Sequence, residues 1–264
     1  MIFVQPLGRM GNQMFQIATA YAVAHDNGDE FVCSENVLAL SPHTMEHRQK
    51  LRKTIFRKIV FDSTKFNPSF KHTDEHYFSY KPIEYKSGLC LSGYYQSVRY
   101  FEHLEQEMRT LFEAPKEISQ FLEENYADLL DDPNTCAVHV RRGDYLKYKN
   151  FHHNLTPSYY TKALESMGSN KRFVFFSDDI SWCRENFSHL SKDFVDTGDD
   201  VCDFYLMSRM KNNIIANSSY GWWAAYLNEN EGKKIICPSN WFGPGNSHLS
   251  IQDLFPKNWK IIKD

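Results

Sequence analysis

Short apolar runs alternate with amphipathic stretches through the second half of the chain, behind the turn signal Asp-Asp-Pro-Asn at residues 131–134. Short apolar runs are typical of buried strands, and apolar residues that recur every three or four positions are typical of helices. Thr156 followed by Pro157 supplies a helix cap and a proline at the first helical position. The pattern predicts strands at residues 135–141, 172–177, 213–216 and 234–237, and helices at 156–167, 180–187, 200–210 and 219–228.

Strands that alternate with helices in this way form βαβ units around a parallel sheet, so the second half is predicted to be a Rossmann-like lobe. The first half predicts a second α/β lobe, in which Asn12 caps the first helix. Its predicted elements are strands at residues 2–7 and 89–93 and helices at 12–25, 98–112 and 115–130. We place the boundary at the turn signal, which gives lobes 1–130 and 131–264.

The composition is that of a soluble globular protein, with 42% hydrophobic and 24% charged residues. A formal net charge of -3 gives no reason to expect nucleic acid as a partner. The aromatic fraction of 15% is high. Aromatic side chains line carbohydrate sites and also fill cores, so both interpretations stay open.

The six cysteines occur singly, without a Cys-x-x-Cys pair, and several lie in apolar runs such as that around Cys136. This indicates buried free thiols in a reducing compartment and neither a disulfide framework nor a zinc site. The apolar run Ile2-Phe3-Val4 begins at once and Gly8 ends it, so we expect no signal peptide or membrane span ahead of the first strand.

The segment His139-Val140-Arg141-Arg142-Gly143-Asp144-Tyr145 carries the first candidate chemistry. Side chains alternate along a strand, so His139 and Arg141 point to the same side near its carboxyl end, where open α/β sheets bind ligands. The planar guanidinium of Arg141 suits a diphosphate, because it forms paired charge-assisted hydrogen bonds. The alternative is a structural pair of an arginine and an aspartate at a strand end.

Asn217-Ser218-Ser219 lies between a predicted strand and a predicted helix. The amino terminus of a helix offers free N–H groups and the positive end of the helix dipole, which favour phosphate. The alternative is ordinary capping of that helix.

A third candidate is Asp178, which follows the apolar strand that begins at Phe173. A carboxylate at that strand end could accept hydrogen bonds from the N1–H and N2–H groups of guanine, which adenine lacks. The alternative is a cap for the helix that begins near Ile180.

The turn Gly8-Arg9-Met10-Gly11 lacks the third glycine of a dinucleotide-binding fingerprint, which argues against an NAD site. The amides of Asn12 and Gln13 at the start of the helix are suited to hydrogen-bonding with sugar hydroxyls.

Taken in order, these motifs resemble glycosyltransferase family 11, the α-1,2-fucosyltransferases, along nearly the whole chain. The segments that carry the resemblance are residues 8–16, 139–145, 156–160, 176–179 and 203–223, the last with Asn217-Ser218-Ser219 and Trp222-Trp223 inside it. The resemblance implies an α/β fold of GT-B-like architecture, with two Rossmann-like lobes and the donor lobe in the C-terminal half. Residues 41–85 match nothing in it, and we expect acceptor specificity there.

The resemblance also implies a reaction: transfer of L-fucose from GDP-fucose to the 2-hydroxyl of a galactoside, with inversion and without a metal or other cofactor. The adjacent acids 178–179 and 199–200 leave a Mg²⁺ site open on sequence grounds. The expected acceptor is a galactose-terminated oligosaccharide or a lipid-linked glycan, as in O-antigen synthesis. The expected location is the cytoplasm, with peripheral association at the inner face of the membrane as a further expectation.

Roles follow from the same resemblance. Arg141 would grip the β-phosphate, Ser218 and Ser219 would complete the phosphate cradle, and His139 would face guanine or its ribose. Asn12 would orient the acceptor, and Asp144 would act with Arg141 or anchor the arginines. The catalytic candidates are Arg141, Asp144 and Asn12, and the donor-binding candidates are His139, Arg141, Asp178, Asn217, Ser218 and Ser219.

Two other functions stay open. One is a fucosyltransferase of different linkage, α-1,6 or protein O-linked. The other is a non-catalytic protein that binds a nucleotide sugar or a glycan.

Overall fold

A computed structural model describes residues 1–35, 44–74 and 78–264. The chain forms two compact units, residues 1–113 with 250–256 and residues 114–249 with 257–264. The units therefore divide at residue 114, whereas the sequence pattern placed the boundary after residue 130. The helix Lys116–Leu130 belongs to the second unit because it packs on the helix Asp200–Arg209.

The first unit holds a four-stranded sheet in which every neighbouring pair of strands is parallel, in the order Phe31–Cys33, Ile2–Val4, Leu89–Ser92 and Phe70–Thr73. Phe3, Val32 and Cys90 form a small apolar cluster on this sheet. The elements are β1 (Ile2–Val4), α1 (Met10–Asp26), β2 (Phe31–Cys33), α2 (Met45–Lys53), β3 (Phe70–Thr73), β4 (Leu89–Ser92) and α3 (Glu105–Leu111).

Helix α1 begins earlier than predicted, because Arg9 and not Asn12 occupies the N-cap position. Asn12 lies in the first turn, and its Oδ1 accepts a hydrogen bond from Gln96 Nε2 at 2.7 Å. Gly8 precedes the helix with a φ of 77°, and a Cβ there would lie 2.6 Å from Asn12 Nδ2. Glycine is therefore the residue that this turn accommodates.

The predicted helix at residues 98–112 is also interrupted. Two 3₁₀ turns, Val98–Tyr100 and Glu102–Leu104, precede α3. Ser97 and Val98 hydrogen-bond to the carbonyl of Asp253, at 2.8 Å and 3.0 Å, which ties the segment 250–256 to the first unit. Because these bonds fix the chain direction at residue 98, the helix begins only at Glu105.

The poorly periodic stretch at residues 41–85 contains α2 and β3, which the sequence pattern did not predict. Residues 41–43 and 75–77 of that stretch lie outside the described residues.

The second unit confirms the predicted alternation of strands and helices, and the boundaries differ by at most two residues. Its six strands pair in parallel in the order Lys260–Ile262, Ile235–Pro238, Asn212–Ile214, Thr135–Val140, Arg172–Ser177 and Asp193–Val195. The first and last of these, the short edge strands, were not predicted. The elements are α4 (Lys116–Leu130), β5 (Thr135–Val140), α5 (Pro157–Met167), β6 (Arg172–Ser177), α6 (Ile180–Phe187), β7 (Asp193–Val195), α7 (Asp200–Arg209), β8 (Asn212–Ile214), α8 (Ser219–Tyr226), β9 (Ile235–Pro238) and β10 (Lys260–Ile262).

Strand β5 is buried along its whole length, as expected of a central strand with helices on both faces. The largest fully buried side chains described are all aromatic, so much of the aromatic surplus fills the cores. All six cysteines are free and buried, as predicted. No helix among the described residues combines the length and the apolar character needed to cross a membrane.

Candidate active site

The carboxyl ends of β5, β6 and β8 lie side by side in the second unit, with β5 in the middle. The loops that follow these strands carry Arg141, Asp178 and Asn217, which are far apart in the sequence. Parallel strands present their carboxyl ends at one edge of the sheet, and open α/β sheets bind ligands there. The structure therefore gathers the predicted donor-binding residues at one edge.

Arg141 is held by two carboxylates. Its guanidinium donates to Asp144 Oδ1 at 2.5 Å and to Asp178 Oδ2 at 2.9 Å, and its side chain is 20% exposed. The ring of Tyr145 lies 5.5 Å from the guanidinium carbon. Burial lowers the pKa of Arg141, but the charges of Asp178 and Asp144 outweigh it and raise that pKa, so Arg141 stays cationic. Two bonds leave further N–H donors on the planar group for an anion.

Asp178 anchors both arginines of the motif. Its Oδ1 accepts a hydrogen bond from the backbone N–H of Arg142 at 2.9 Å, while Oδ2 bonds to Arg141. A Cβ on Gly143 would overlap Asp178 Oδ2, so glycine allows this close approach. A contact between Asp178 and guanine stays a prediction, and it would use lone pairs that these bonds leave over.

Arg142 is fixed away from Arg141. It donates from Nε to Asp179 Oδ2 at 3.1 Å and lies 4.0 Å above the ring of Trp182. Asp179 also caps α6 by accepting from the N–H of Trp182 at 3.2 Å, so the capping alternative is correct for Asp179. Arg142 is thus a structural neighbour of the site.

His139 lies under the amino terminus of α8. It is 5% exposed, its ring centroid is 5.5 Å from that of Tyr220, and a Cβ on Gly221 would overlap its Nδ1. Burial, with a further contribution from the Arg141 charge, lowers the pKa of His139 to about 3, so the imidazole is neutral. Nδ1 is buried and forms no hydrogen bond within the described residues.

Asn217 has an internal role that the sequence did not reveal. Its Nδ2 donates to the carbonyls of His153 at 2.8 Å and Trp241 at 2.9 Å, and its buried Oδ1 has no hydrogen-bond partner within the described residues. The side chain therefore ties two loops to the end of β8. Direct contact of Asn217 with a donor stays a prediction, and positioning is the role that its geometry supports.

Ser218 is the N-cap residue of α8, but its side chain forms no capping hydrogen bond, contrary to the capping alternative. Its hydroxyl hydrogen-bonds with Tyr145, whose own hydroxyl donates to the carbonyl of Asn217 at 2.9 Å. Ser219 is the first residue of α8. The start of α8 therefore sits beside the Arg141 loop, joined to it through Tyr145.

Tyr145 and His152 were missed as site residues. Their rings stack with centroids 4.0 Å apart and an interplanar angle of 6°. Asn154 Nδ2 donates to the carbonyl of Tyr145 at 3.3 Å. The sequence offered a reason to consider Tyr145, because it lies within the arginine motif. It offered none for His152, because the position of this residue depends on how the loop folds back.

Asn12 belongs to the first unit, and all the other candidates belong to the second. Among the acids that left a metal site open, Asp178 and Asp179 pair with arginines, and Asp199 accepts from the N–H groups of Val201 and Cys202 as the cap of α7. Within the three described stretches, no three His, Cys, Asp or Glu side chains form a group that could hold a metal ion.

Two α/β units with parallel sheets, the second with an oriented arginine beside a helix amino terminus, define a GT-B-like glycosyltransferase. Solved structures support this fold. The fucosyltransferase NodZ from Bradyrhizobium aligns with a TM-score of 0.59 and 12% identity over 86% of this chain and 93% of that chain. NodZ soaked with GDP-fucose, an α-1,6-fucosyltransferase, aligns with a TM-score of 0.51 and 14% identity over 86% and 92%. At these identities the likeness shows the fold alone.

The chain belongs to glycosyl transferase family 11, which it matches over residues 1–263. It is 30% identical to the O-antigen biosynthesis glycosyltransferase WbnK of Escherichia coli, over 65% of this chain and 61% of that protein. It is 29% identical to an α-1,2-colitosyltransferase of Escherichia coli, over 97% of each. It is 28% identical to galactoside α-(1,2)-fucosyltransferase 1 of Bos taurus, over 94% of this chain and 71% of that protein. The chain is therefore an enzyme of the glycosyltransferase class, as the motifs predicted.

Proposed function

We propose that this enzyme transfers L-fucose from GDP-fucose to the 2-hydroxyl of a galactoside, with inversion and without a metal. The observation that carries the proposal is the guanidinium of Arg141, held by Asp144 and Asp178 at the carboxyl end of β5. Such a group is preorganised for a diphosphate that gains charge as it leaves. The relatives named for α-1,2-fucosyl and α-1,2-colitosyl transfer supply the linkage.

Leaving-group stabilisation is the task that these residues support best. The glycosidic bond to the β-phosphate breaks through an oxocarbenium-like transition state, as in glycoside chemistry generally, so negative charge grows on GDP. Arg141 donates to that charge, and the amino terminus of α8 adds N–H groups and the positive end of its dipole. Ser218 and Tyr145 keep the helix start and the arginine loop together.

His139 fits the nucleoside end of the donor better than the phosphates. A neutral imidazole beside Arg141 carries no positive charge for a diphosphate, but a ring nitrogen can hydrogen-bond with a base or a ribose hydroxyl. Burial keeps it neutral, because the pKa of His139 is lowered to about 3.

A colitosyl donor is the second candidate. The α-1,2-colitosyltransferase relative is 29% identical over 97% of this chain. The same fold and the same motifs could therefore accept either 6-deoxy sugar, fucose or colitose. Both donors leave the linkage and the role of Arg141 unchanged. The two donors differ only in the sugar that is transferred from GDP to the acceptor.

The proposed acceptor is a galactose-terminated oligosaccharide or a lipid-linked glycan. WbnK, named for O-antigen biosynthesis, supports a glycan of this kind. We place the enzyme in the cytoplasm, at the inner face of the membrane when the acceptor is lipid-linked.

The test is an assay of GDP release from purified enzyme with GDP-fucose and a panel of β-galactosides in excess EDTA, followed by linkage analysis of the product. A 2-linked fucose supports the proposal, and a 6-linked or protein-linked fucose contradicts the linkage. GDP-colitose in place of GDP-fucose separates the two donors, and full inhibition by EDTA contradicts metal independence.

Variants make the same assay specific to the site. Arg141→Ala should lose about 100- to 1000-fold in rate, since it removes a preorganised donor. Arg184→Ala is the matched control, because that guanidinium is exposed, donates to the carbonyl of Phe194 at 3.3 Å and lies 4.9 Å from the Phe194 ring. Binding of GDP-fucose without turnover on any acceptor would favour a non-catalytic binding protein.

A further inference from the structure

The loop that follows the arginine motif is exposed over six consecutive residues, 146–151. Three of them are large and apolar: Leu146, Tyr148 and Phe151 are 38%, 55% and 51% exposed. Lys147 and Lys149 alternate with them. Single apolar residues on a surface are normal, but a cluster rimmed by charge marks an interaction site. We call residues 146–151 the exposed loop.

Hydrogen bonds fix the backbone of the exposed loop, so its apolar side chains are exposed from an ordered segment. The N–H of Gly243 donates to the carbonyl of Phe151 at 2.9 Å, and that of Gly245 donates to the carbonyl of Asn150 at 2.7 Å. A Cβ on Gly243 would lie 2.6 Å from the carbonyl oxygen of Lys149, and one on Gly245 would lie 2.6 Å from Asn150 Nδ2. The two glycines therefore allow a backbone contact that a larger residue would break.

The loop is also a local positive patch on a chain with a net charge of -3. Neither Lys147 nor Lys149 forms an ion pair within the described residues, and both are exposed. His152 adds no charge, because burial lowers its pKa. Asp144, the nearest carboxylate along the chain, is paired with Arg141. The exposed loop thus carries two exposed lysines that alternate along the sequence with three exposed apolar side chains.

We propose that the exposed loop binds the surface of an anionic phospholipid bilayer. Aromatic and aliphatic side chains that flank lysines bind at the boundary between headgroups and acyl chains, while the ammonium groups reach lipid phosphates. A neutral acceptor sugar would account for the aromatic rings but not for Leu146 or the two unpaired lysines. The inference deepens the proposed location at the membrane by naming the surface that binds it, so it rests on that part of the proposed function, but it does not depend on the donor or on the linkage.

Membrane binding through this loop would have a consequence for the site. The exposed loop begins two residues after Asp144, and the carbonyl of Asp144 accepts from the N–H of Tyr148 at 3.2 Å. The loop that contacts lipid is therefore continuous with the loop that orients Arg141. An enzyme held in this way would keep its donor site within reach of a lipid-linked acceptor.

The test is co-sedimentation of the full chain with phosphatidylcholine vesicles and with vesicles that contain about 30% phosphatidylglycerol, without substrate, at about 0.1 M and 0.5 M salt. We expect binding to the anionic vesicles only, weakened at the higher salt. Lys147→Gln with Lys149→Gln should lower the partition coefficient about tenfold or more, given the electrostatic contribution of each lysine near an anionic surface. Tyr148→Ser with Phe151→Ser should lower it by a similar factor.

The matched control is Leu190→Ser with Lys192→Gln, since Leu190 is 43% exposed and Lys192 is exposed on the same unit. It should bind like the wild type. Equal binding of all variants to anionic vesicles, or no binding by the wild type, overturns the proposal. The assay is independent of fucosyl transfer, so a failure of the proposed function would leave its result unchanged.

The same variants also test two other binding partners for the exposed loop, a soluble acceptor sugar and a second copy of the chain. If the loop variants raise the KM for a soluble galactoside more than fivefold, the loop is an acceptor platform and the proposal is overturned. If sedimentation velocity shows a wild-type dimer that the loop variants lose, the loop joins two copies and the proposal is likewise overturned. Unchanged soluble activity with lost vesicle binding supports the proposal.

Discussion

Replacement of Asn217 by aspartate tests whether this side chain positions the site. The change keeps the shape but removes the NH₂ group, which donates to two carbonyls at 2.8 Å and 2.9 Å. A carboxylate would set negative charge against both carbonyl oxygens. A protonated aspartate has one O–H donor, so at most one of the two carbonyls can keep its partner.

The magnitude follows from these two bonds. A net hydrogen bond contributes about 1 kcal/mol, and a buried acceptor left without a partner costs about 1–3 kcal/mol. Protonation of a buried carboxyl at neutral pH adds to this. We expect Asn217→Asp to lower the free energy of unfolding by about 3 kcal/mol. That is a large part of the 5–15 kcal/mol typical of a domain.

Urea denaturation followed by tryptophan fluorescence measures this loss, since the chain has 5 Trp residues. Asn125→Asp is the matched control: Asn125 is exposed and donates one bond to the carbonyl of Phe121 at 2.8 Å, so its effect should stay within about 0.5 kcal/mol. The KM for the donor should rise in folded Asn217→Asp, because the loop that orients Arg141 is no longer tied to β8. A loss below about 1 kcal/mol with an unchanged donor KM would refute the positioning role.

Three further predictions concern single side chains. Arg141→Lys keeps the charge, but an ammonium group cannot bridge Asp144, Asp178 and a phosphate as one planar guanidinium can. We therefore expect kcat to fall about 100-fold, while circular dichroism shows that the fold is retained. A decrease of less than about tenfold would contradict this. Gly221→Ala drives a Cβ into the His139 ring and should lower stability by about 1–3 kcal/mol in thermal unfolding, whereas an unchanged Tm would mean that the helix shifts freely. Burial raises the pKa of Asp203 from 3.8 to about 6, so the folded protein binds more protons than the unfolded chain between those values, and stability falls as pH rises across that window. Asp203→Asn should remove this slope and raise the free energy of unfolding above pH 6 by about 2 kcal/mol in urea titrations at several pH values, and an unchanged slope would argue against it.

Local patterns determined the second unit well. Pro157 starts α5 because a fixed φ suits the first helical position, and the apolar run at residues 172–177 forms β6 as predicted. Thr156 occupies the N-cap position but its side chain does not cap the helix, because its hydroxyl donates to Asp264 Oδ1 at 2.5 Å instead. Short strands of three residues at the edges, such as Asp193–Val195, were missed. Three residues give too little alternation to distinguish a strand from a loop.

The first unit was less readable for a related reason. The break before Glu105 depends on bonds from Ser97 and Val98 to Asp253, which lies more than 150 residues away in the sequence. The start of α1 depends on the turn at Gly8. Neither contact leaves a trace in the local hydrophobic pattern.

For the site, the sequence by itself determined which residue types lie at the carboxyl end of β5, because side-chain alternation and strand direction follow from local structure. Only the tertiary structure decided their partners. Asp178 reaches the Arg142 backbone across 36 positions, and Asn217 reaches His153 across 64. Such pairs form where the sheet order brings separate strand ends together, and that order is fixed by the packing of the whole unit and not by any one segment.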